Sequence, residues 1–229
     1  GLINIFQDKS THVVIQGLDL SGLQALTGEN LLLDAISVKK DLVNVQNITH
    51  FTMRDSDIMD VVQSDPVTKH ETWQASPNRT GGAFLSKVEG AYLDHNIFDR
   101  NGWEEGYDYN LSASAPMPPS YYNHNLYVQE NVLDITVRDN IFMRGASFGA
   151  QVRPGGVIEG NSFIDNNAAL NFFSGANYTL ALDNIVTSAG YKKVAHYEGG
   201  LSMGIDGQSK GSSLVGNIIA HRADPNNAA

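Results

Sequence analysis

The sequence contains no cysteine, so disulfide bonds, thiolate metal ligands and a cysteine nucleophile are excluded. It is also poor in basic residues, with 15 Lys and Arg against 25 Asp and Glu, a net charge of −10. This balance argues against nucleic acid as a partner, because a phosphate backbone requires a basic surface. No run approaches the roughly 18 consecutive apolar residues of a membrane span, so we expect none. Gly1 replaces a starting Met and no signal peptide is evident, so we expect a mature or trimmed form.

Helical periodicity of 3.6 residues is missing, and the 22 glycines and frequent asparagines favour a β-rich chain with tight turns. A motif of Asn followed by apolar residues recurs along the chain. Its copies are "AYLDHNIF" (91–98), "ITVRDNIF" (135–142), "GVIEGNSF" (156–163), "LALDNIV" (180–186) and "SLVGNII" (213–219). A looser copy, "FTMRDSDIM" (51–59), has Asp57 in the Asn position under this alignment.

The spacing of the motif predicts the architecture. Asn140 and Asn161 are 21 residues apart, and Asn161 and Asn184 are 23 apart. A period of about 22 residues fits a solenoid with three short strands and three turns per coil. We therefore predict an all-β single domain over residues 1–229, with coils best defined over 42–220. Long insertions are expected at about 63–80 and 102–121.

The repeats and the stretch "DHNIFDRNGW…NHNLYVQ…GAQVRPGGVIEGNSF" resemble the pectate-lyase-like superfamily over roughly residues 11–220. The resemblance implies a right-handed parallel β-helix that is carbohydrate-active and secreted or periplasmic. In a bacterial group with a similar pattern, a His-Gly pair often precedes the "QxRPGG" segment. This chain has Phe148-Gly149 there, so no role of that histidine can be carried over.

Alternation along the first strand of each coil predicts which side chains point outward, onto one face of the solenoid. We expect these strands at about 42–46, 83–86, 124–129, 149–153, 169–173 and 201–205. The outward set is rich in amides, which can bind sugar hydroxyls, and in aromatic rings, which can stack on sugars. Its predicted substrate-binding members are Asn125, Gln129, Gln151, Asn171 and Phe173.

Cleavage of a uronate polysaccharide by β-elimination needs a group that neutralises the carboxylate, a base and an acid. Arg153 is the outward cation within these strands, and it can bind a carboxylate through two hydrogen bonds. Tyr127 and His124, one coil earlier, are the candidate base and acid. His124 has inward parity, so a hydrogen-bonded structural role is also open. Lys87, near the end of the preceding first strand, is a second candidate contact to the substrate.

The long insertions carry further candidates. Trp103, next to Glu104 and Glu105, starts the second insertion, and we expect it to help form a wall of the binding face. The acidic balance allows a calcium ion, but no loop has the ligand spacing of an EF-hand, and we predict no metal ligands.

The sequence leaves three functions open. The first is a polysaccharide lyase for an acidic glycan. The second is a glycoside hydrolase or tailspike-like depolymerase that uses loop carboxylates such as Glu104, Glu105 and Asp108, with Asp206 at a strand end as a further carboxylate. The third is a non-catalytic β-helix for glycan binding or adhesion, because one fold hosts many functions. The oligomeric state stays open in all three.

Overall fold

The structure is a computed structural model that describes residues 41–63, 80–103, 122–166, 168–172, 178–187, 204–207 and 211–220, and five short strands between residues 3 and 34. The described residues contain strands and turns but no helix. Accordingly, none of them forms a helix that could span a membrane.

The strands are numbered in chain order. They are β1 (Ile3–Ser10), β2 (Val13–Gln16), β3 (Leu18–Asp19), β4 (Leu26–Thr27), β5 (Leu31–Asp34), β6 (Val43–Arg54), β7 (Ser56–Met59), β8 (Ala83–Asp94), β9 (Ile97–Asp99), β10 (Leu126–Val128), β11 (Leu133–Arg138), β12 (Ile141–Met143), β13 (Phe148–Val152), β14 (Gly155–Glu159), β15 (Ser162–Ile164), β16 (Ala168–Phe172), β17 (Tyr178–Leu182), β18 (Ile185–Thr187), β19 (Ile205–Gly207), β20 (Ser212–Val215) and β21 (Ile218–Ala220).

The strands form two sheets in which each strand pairs with its counterpart one coil away. The larger sheet has the order β19-β16-β13-β10-β8-β11-β14-β17-β20, with β1, β2 and β6 attached through β6 and β8. The other has the order β21-β18-β15-β12-β9-β7-β5-β3-β4. The pairing is parallel throughout except between β3 and β4. The described chain is thus an all-β solenoid of parallel strands, as the 22-residue period predicted.

Two of the predicted strands are longer than expected. β6 and β8 each contain 12 residues, because they continue through the first turn and supply both the first and the second strand of their coils. In the later coils the first and second strands are separate. The segment "PGG" was expected to form a turn, but only Pro154 lies in it, and Gly155 begins β14.

Apolar side chains at alternate positions fill the interior. The residues predicted to point inward from the first strands, from Val43 and Val45 to Leu170 and Phe172, are at most 1% exposed. On the third strands, Phe98, Phe142 and Phe163 stack with ring centroids 4.9 and 5.1 Å apart. Leu201 and Met203 lie outside the described residues.

The recurring asparagines form a buried ladder along the solenoid, at the bend before each third strand. Asn96, Asn140, Asn161 and Asn184 each donate from Nδ2 to Oδ1 of the next asparagine, at 2.9–3.0 Å, and Asn217 is the last member of the ladder within the described residues. Each Nδ2 also donates to a backbone carbonyl one coil back. These amides can be buried without a large energetic cost because their hydrogen bonds are satisfied within the ladder.

The looser repeat was aligned one residue off. Ser56, rather than Asp57, occupies the Asn position, because its backbone N donates to Asn96 Oδ1 at 3.2 Å. Asp57 instead pairs with Ile97 in the third-strand sheet. The small serine fits the buried bend, whereas Asp57 is partly exposed.

Candidate functional site

The first-strand face is defined here by the outward side chains of the first strands in the larger sheet. The strand register places them in two rows that run along the solenoid. One row contains Asn44, Phe84, Tyr127, Gln151, Asn171 and Asp206. The other contains Gln46, Ser86, Gln129 and Arg153. Neighbours within a row lie one strand spacing apart, about 4.8 Å.

Arg153 forms hydrogen bonds to three neighbouring side chains in the middle of the first-strand face. Its Nη1 donates to Tyr127 Oη at 3.0 Å and to Gln129 Oε1 at 3.3 Å. Its Nη2 donates to Glu130 Oε2 at 3.1 Å. The predicted trio of Arg153, Tyr127 and Gln129 is thus brought together, and Glu130 is a member that the sequence reasoning missed. Glu130 occupies the turn directly after β10, so it belongs to no strand face and strand parity could not identify it.

Aromatic rings continue the face on either side of Tyr127. Its ring centroid is 5.6 Å from that of Phe84 and 5.1 Å from that of His124. Tyr127 and Phe84 are both partly exposed, so their rings can meet a ligand on the face.

His124 lies below this surface. It is 3% exposed, its Nδ1 is 3.2 Å from Ser147 Oγ, and its ring packs edge-on against Phe148. The structure therefore does not bring His124 to the surface of the face beside Arg153. The placement agrees with the hydrogen-bonded structural role that its inward parity left open.

Asn125 was predicted to point outward, and this orientation is wrong. Asn125 is fully buried, its Nδ2 donates to the carbonyl oxygen of Met143 at 3.0 Å, and its Oδ1 accepts from Asn101. It lies just before β10, where the strand alternation on which the prediction relied has not yet begun. Both ends of its amide are used inside the protein.

Trp103 was expected on a loop that walls the face, but it is buried instead. It is 6% exposed, and its indole Nε1 donates to the carbonyl oxygen of Arg144 at 2.8 Å. A tryptophan is stable in this position because its one polar group has a partner. Residues 64–79 and 104–121 of the two insertions lie outside the described residues, as does Phe173.

Asp206 joins the row that contains Gln151 and Asn171. Gln151 Nε2 donates to Asn171 Oδ1 at 3.0 Å, and Asn171 Nδ2 donates to Asp206 Oδ2 at 3.0 Å. Asn171 is only 6% exposed, so its amide serves these neighbours rather than the surface. The sequence placed Asp206 at a strand end rather than on this face, because the first strand of this coil was expected at 201–205, whereas β19 begins at Ile205.

Lys87 lies at the first turn, where β8 passes from first to second strand. Its side chain is exposed and its backbone φ is 52°. Its backbone N donates a hydrogen bond to Asn131 Oδ1 at 2.8 Å, which fixes the turn next to Glu130. Lys87 therefore lies at the same end of the first strands as Arg153, as predicted.

One group of side chains could hold a cation by distance alone. Ligand atoms of Asp94, His95 and Asp139 lie within 4.8 Å of one another at the second bend. Arg138 already occupies this position, with its Nε 3.1 Å from Asp139 and 3.6 Å from Asp94. Burial, and then the negative charge of Asp94, raise the pKa of the Tyr92 hydroxyl, which bonds Asp94. The group is thus an ion-pair network, and it carries no metal assignment.

Comparison with known proteins gives no relative: no family model, no curated protein and no solved structure matches the chain.

Proposed function

We propose that residues 1–229 form a single right-handed parallel β-helix that acts as a polysaccharide lyase. Its substrate would be a uronate-containing glycan bound along the first-strand face. The distance between neighbouring strands supports binding of the glycan along this face, because about 4.8 Å is close to the length of one sugar residue in an extended glycan. The amides and rings of the face therefore repeat in step with the sugars that they would contact.

The contact between Arg153 and Tyr127, 3.0 Å from nitrogen to oxygen, carries the proposal. Arg153, assisted by Lys87, would bind the uronate carboxylate and stabilise the negative charge that develops when the C5 proton leaves. The Tyr127 oxygen next to it, reacting in its deprotonated form, would accept that proton and become the neutral phenol. Electrons of the broken C5–H bond form the C4–C5 double bond, and the C4–O bond breaks. A proton from the tyrosine or from water then completes the leaving hydroxyl.

Glu130 forms an ion pair with Arg153. The Glu130 side chain is 60% exposed, so its ion pair with Arg153 is screened by water. Such exposed pairs contribute only about 0–1 kcal/mol. A substrate carboxylate can therefore replace Glu130 at little cost.

Hydrolysis is less well supported by the described residues. A glycoside hydrolase needs two carboxylates roughly 5–10 Å apart. Glu130 and Asp206 are the carboxylates at the first-strand face in the described part of the chain, and they are separated by three coils, or about 14 Å. Glu104, Glu105 and Asp108, which the hydrolase hypothesis invoked, lie outside the described residues.

The location would be secreted or periplasmic, because polymeric glycans are encountered outside the cytoplasm. This expectation follows from the proposed substrate. Fractionation of cells that express the full-length gene product would test it independently of activity.

To distinguish a lyase from a hydrolase, the protein is incubated with polygalacturonate and with alginate. A lyase produces an unsaturated uronate with characteristic ultraviolet absorbance, whereas a hydrolase releases reducing ends without that absorbance. Arg153→Ala should abolish turnover and keep the circular dichroism spectrum of the fold. Arg54→Ala, an exposed arginine on the second strand of another coil, is the matched control and should retain activity. Binding without cleavage would favour the glycan-binding module.

A further inference from the structure

Three side chains of the first-strand face form a hydrogen-bonded chain with one direction. Gln151 donates to Asn171, and Asn171 donates to Asp206, each at 3.0 Å. The three residues occupy successive coils, because Gln151 pairs with Asn171 and Asn171 pairs with Asp206. The chain ends at the only one of the three side chains that cannot donate when it is ionised.

We propose that Asp206 is a positioning residue that fixes the orientation of the Gln151 amide. A carboxylate only accepts, so Asn171 must direct its Nδ2 toward Asp206. Its Oδ1 then faces the other way and requires a donor, so Gln151 must direct Nε2 toward Asn171. Asn171 is 6% exposed, so water does not readily replace either bond.

The orientation of Gln151 matters for the face, because Gln151 pairs with Tyr127 and lies two residues before Arg153. With Nε2 directed toward Asn171, the acceptor Oε1 of Gln151 is directed to the opposite side, toward the coil of Tyr127. This atom binds a sugar hydroxyl and repels a carboxylate, whereas Arg153 attracts one. On the basis of the proposed function, a uronate would bind with its carboxylate toward Arg153 and a hydroxyl on Gln151.

Two variants separate this role from a general structural one. Asp206→Asn keeps the shape of the side chain. Because its amide can both donate and accept, the hydrogen bonds between residues 151, 171 and 206 can then run in either direction. Adding Asn171→Asp places the obligate acceptor one coil nearer, so Gln151 again directs Nε2 toward position 171. Asp165→Asn, at an exposed bend outside the face, controls for the loss of one carboxylate.

The substrate-free measurement uses NMR. In the wild type, the Nε2 protons of Gln151 should show nuclear Overhauser contacts to the β-protons of Asn171. Asp206→Asn should weaken these contacts and the double variant should restore them. Unchanged contacts in Asp206→Asn would overturn the inference whether or not the protein is a lyase.

The second measurement uses polygalacturonate as the probe. Loss of one oriented hydrogen bond should raise KM about fivefold in Asp206→Asn, with kcat within about twofold, and the double variant should recover. Equal KM in wild type and Asp206→Asn, in an otherwise active enzyme, would also overturn the inference. Inactivity of every protein, wild type included, would instead reject the proposed function, and the NMR comparison would then decide alone.

Discussion

Asn125 fills the space that Gly145 leaves open in the same coil. A β-carbon at position 145 would lie 2.9 Å from Asn125 Nδ2, closer than such atoms approach. From this position Asn125 Oδ1 accepts from Asn101 Nδ2 at 2.9 Å, and Asn125 Nδ2 donates to Asn166 Oδ1 at 3.3 Å. Asn125 thus completes a second asparagine ladder, which runs through the bends after the third strands.

The coils on either side have the reverse arrangement. There a glycine, Gly82 or Gly149, occupies the register position of Asn125, and an asparagine, Asn101 or Asn166, follows the third strand. A β-carbon on either glycine would lie 2.9 Å from the amide nitrogen of its asparagine. One coil has therefore exchanged the positions of Gly and Asn while keeping the amide in the same place.

This exchange predicts a rescue. Asn125→Gly removes the buried amide and Gly145→Asn adds a side chain to an occupied space, so each should lower the free energy of unfolding by about 3 kcal/mol. The double variant has the arrangement of the neighbouring coils and should recover most of that loss. Urea denaturation measures all three. Additive losses in the double variant would show that position 145 cannot supply the amide.

We expect an interior asparagine of the first ladder to contribute more to the free energy of unfolding than the last asparagine does. Asn161→Ala would leave the backbone and side-chain donors of Asn140 without their shared acceptor. We expect a loss of about 3 kcal/mol or more in the free energy of unfolding. Asn217→Ala is the control, because Asn217 is partly exposed at the end of the ladder and water can replace it. Similar losses at both positions would contradict a buried ladder as the source of stability.

Tyr127→Phe tests the proposed proton transfer. The change removes the hydroxyl that accepts from Arg153 and keeps the ring against Phe84. Turnover of polygalacturonate should fall about a hundredfold or more, with little change in KM. Phe84→Tyr serves as the matched change in the same row and should leave kcat close to wild type. An active Tyr127→Phe enzyme would exclude this tyrosine as base or acid.

Glu130→Gln tests whether Arg153 binds a substrate carboxylate. The variant removes the negative charge that lies 3.1 Å from Arg153 Nη2. Binding of an acidic oligosaccharide, measured by calorimetry, should become tighter, and the difference should shrink at high salt. Stability should change by less than about 1 kcal/mol, because the pair is exposed. Unchanged affinity would show that Arg153 does not bind the substrate carboxylate.

Asp57 should make stability depend on pH. Burial raises its pKa above the ordinary value, so the folded state holds this proton more tightly than the unfolded chain does. Stability from this residue is therefore lost as pH rises through the raised pKa. Asp57→Asn should be more stable than wild type at neutral pH and equal to it below about pH 3, where both forms are neutral. Urea denaturation of both proteins between pH 3 and neutral pH measures the difference, and equal free energies of unfolding at every pH would contradict the prediction.

Much of the architecture was predictable because it repeats. The alternation of Val43, Leu85 and Val152 identified the core, and the spacing of Asn140, Asn161 and Asn184 identified the coil length. Each coil lies on the previous one in register, so a local pattern that recurs must also stack. Arg153 and Tyr127 could be paired from sequence for the same reason, since both follow strand parity.

The sequence by itself determined the parallel coils, the inward residues and the first asparagine ladder, because strand alternation and a fixed period act locally. Only the tertiary structure decided where the irregular positions go. Asn125 turns inward because Gly145, 20 residues later, leaves room for it, and Asp206 reaches the first-strand face through the register of β19. Contacts between coils decide such positions, and no window of neighbouring residues contains both partners.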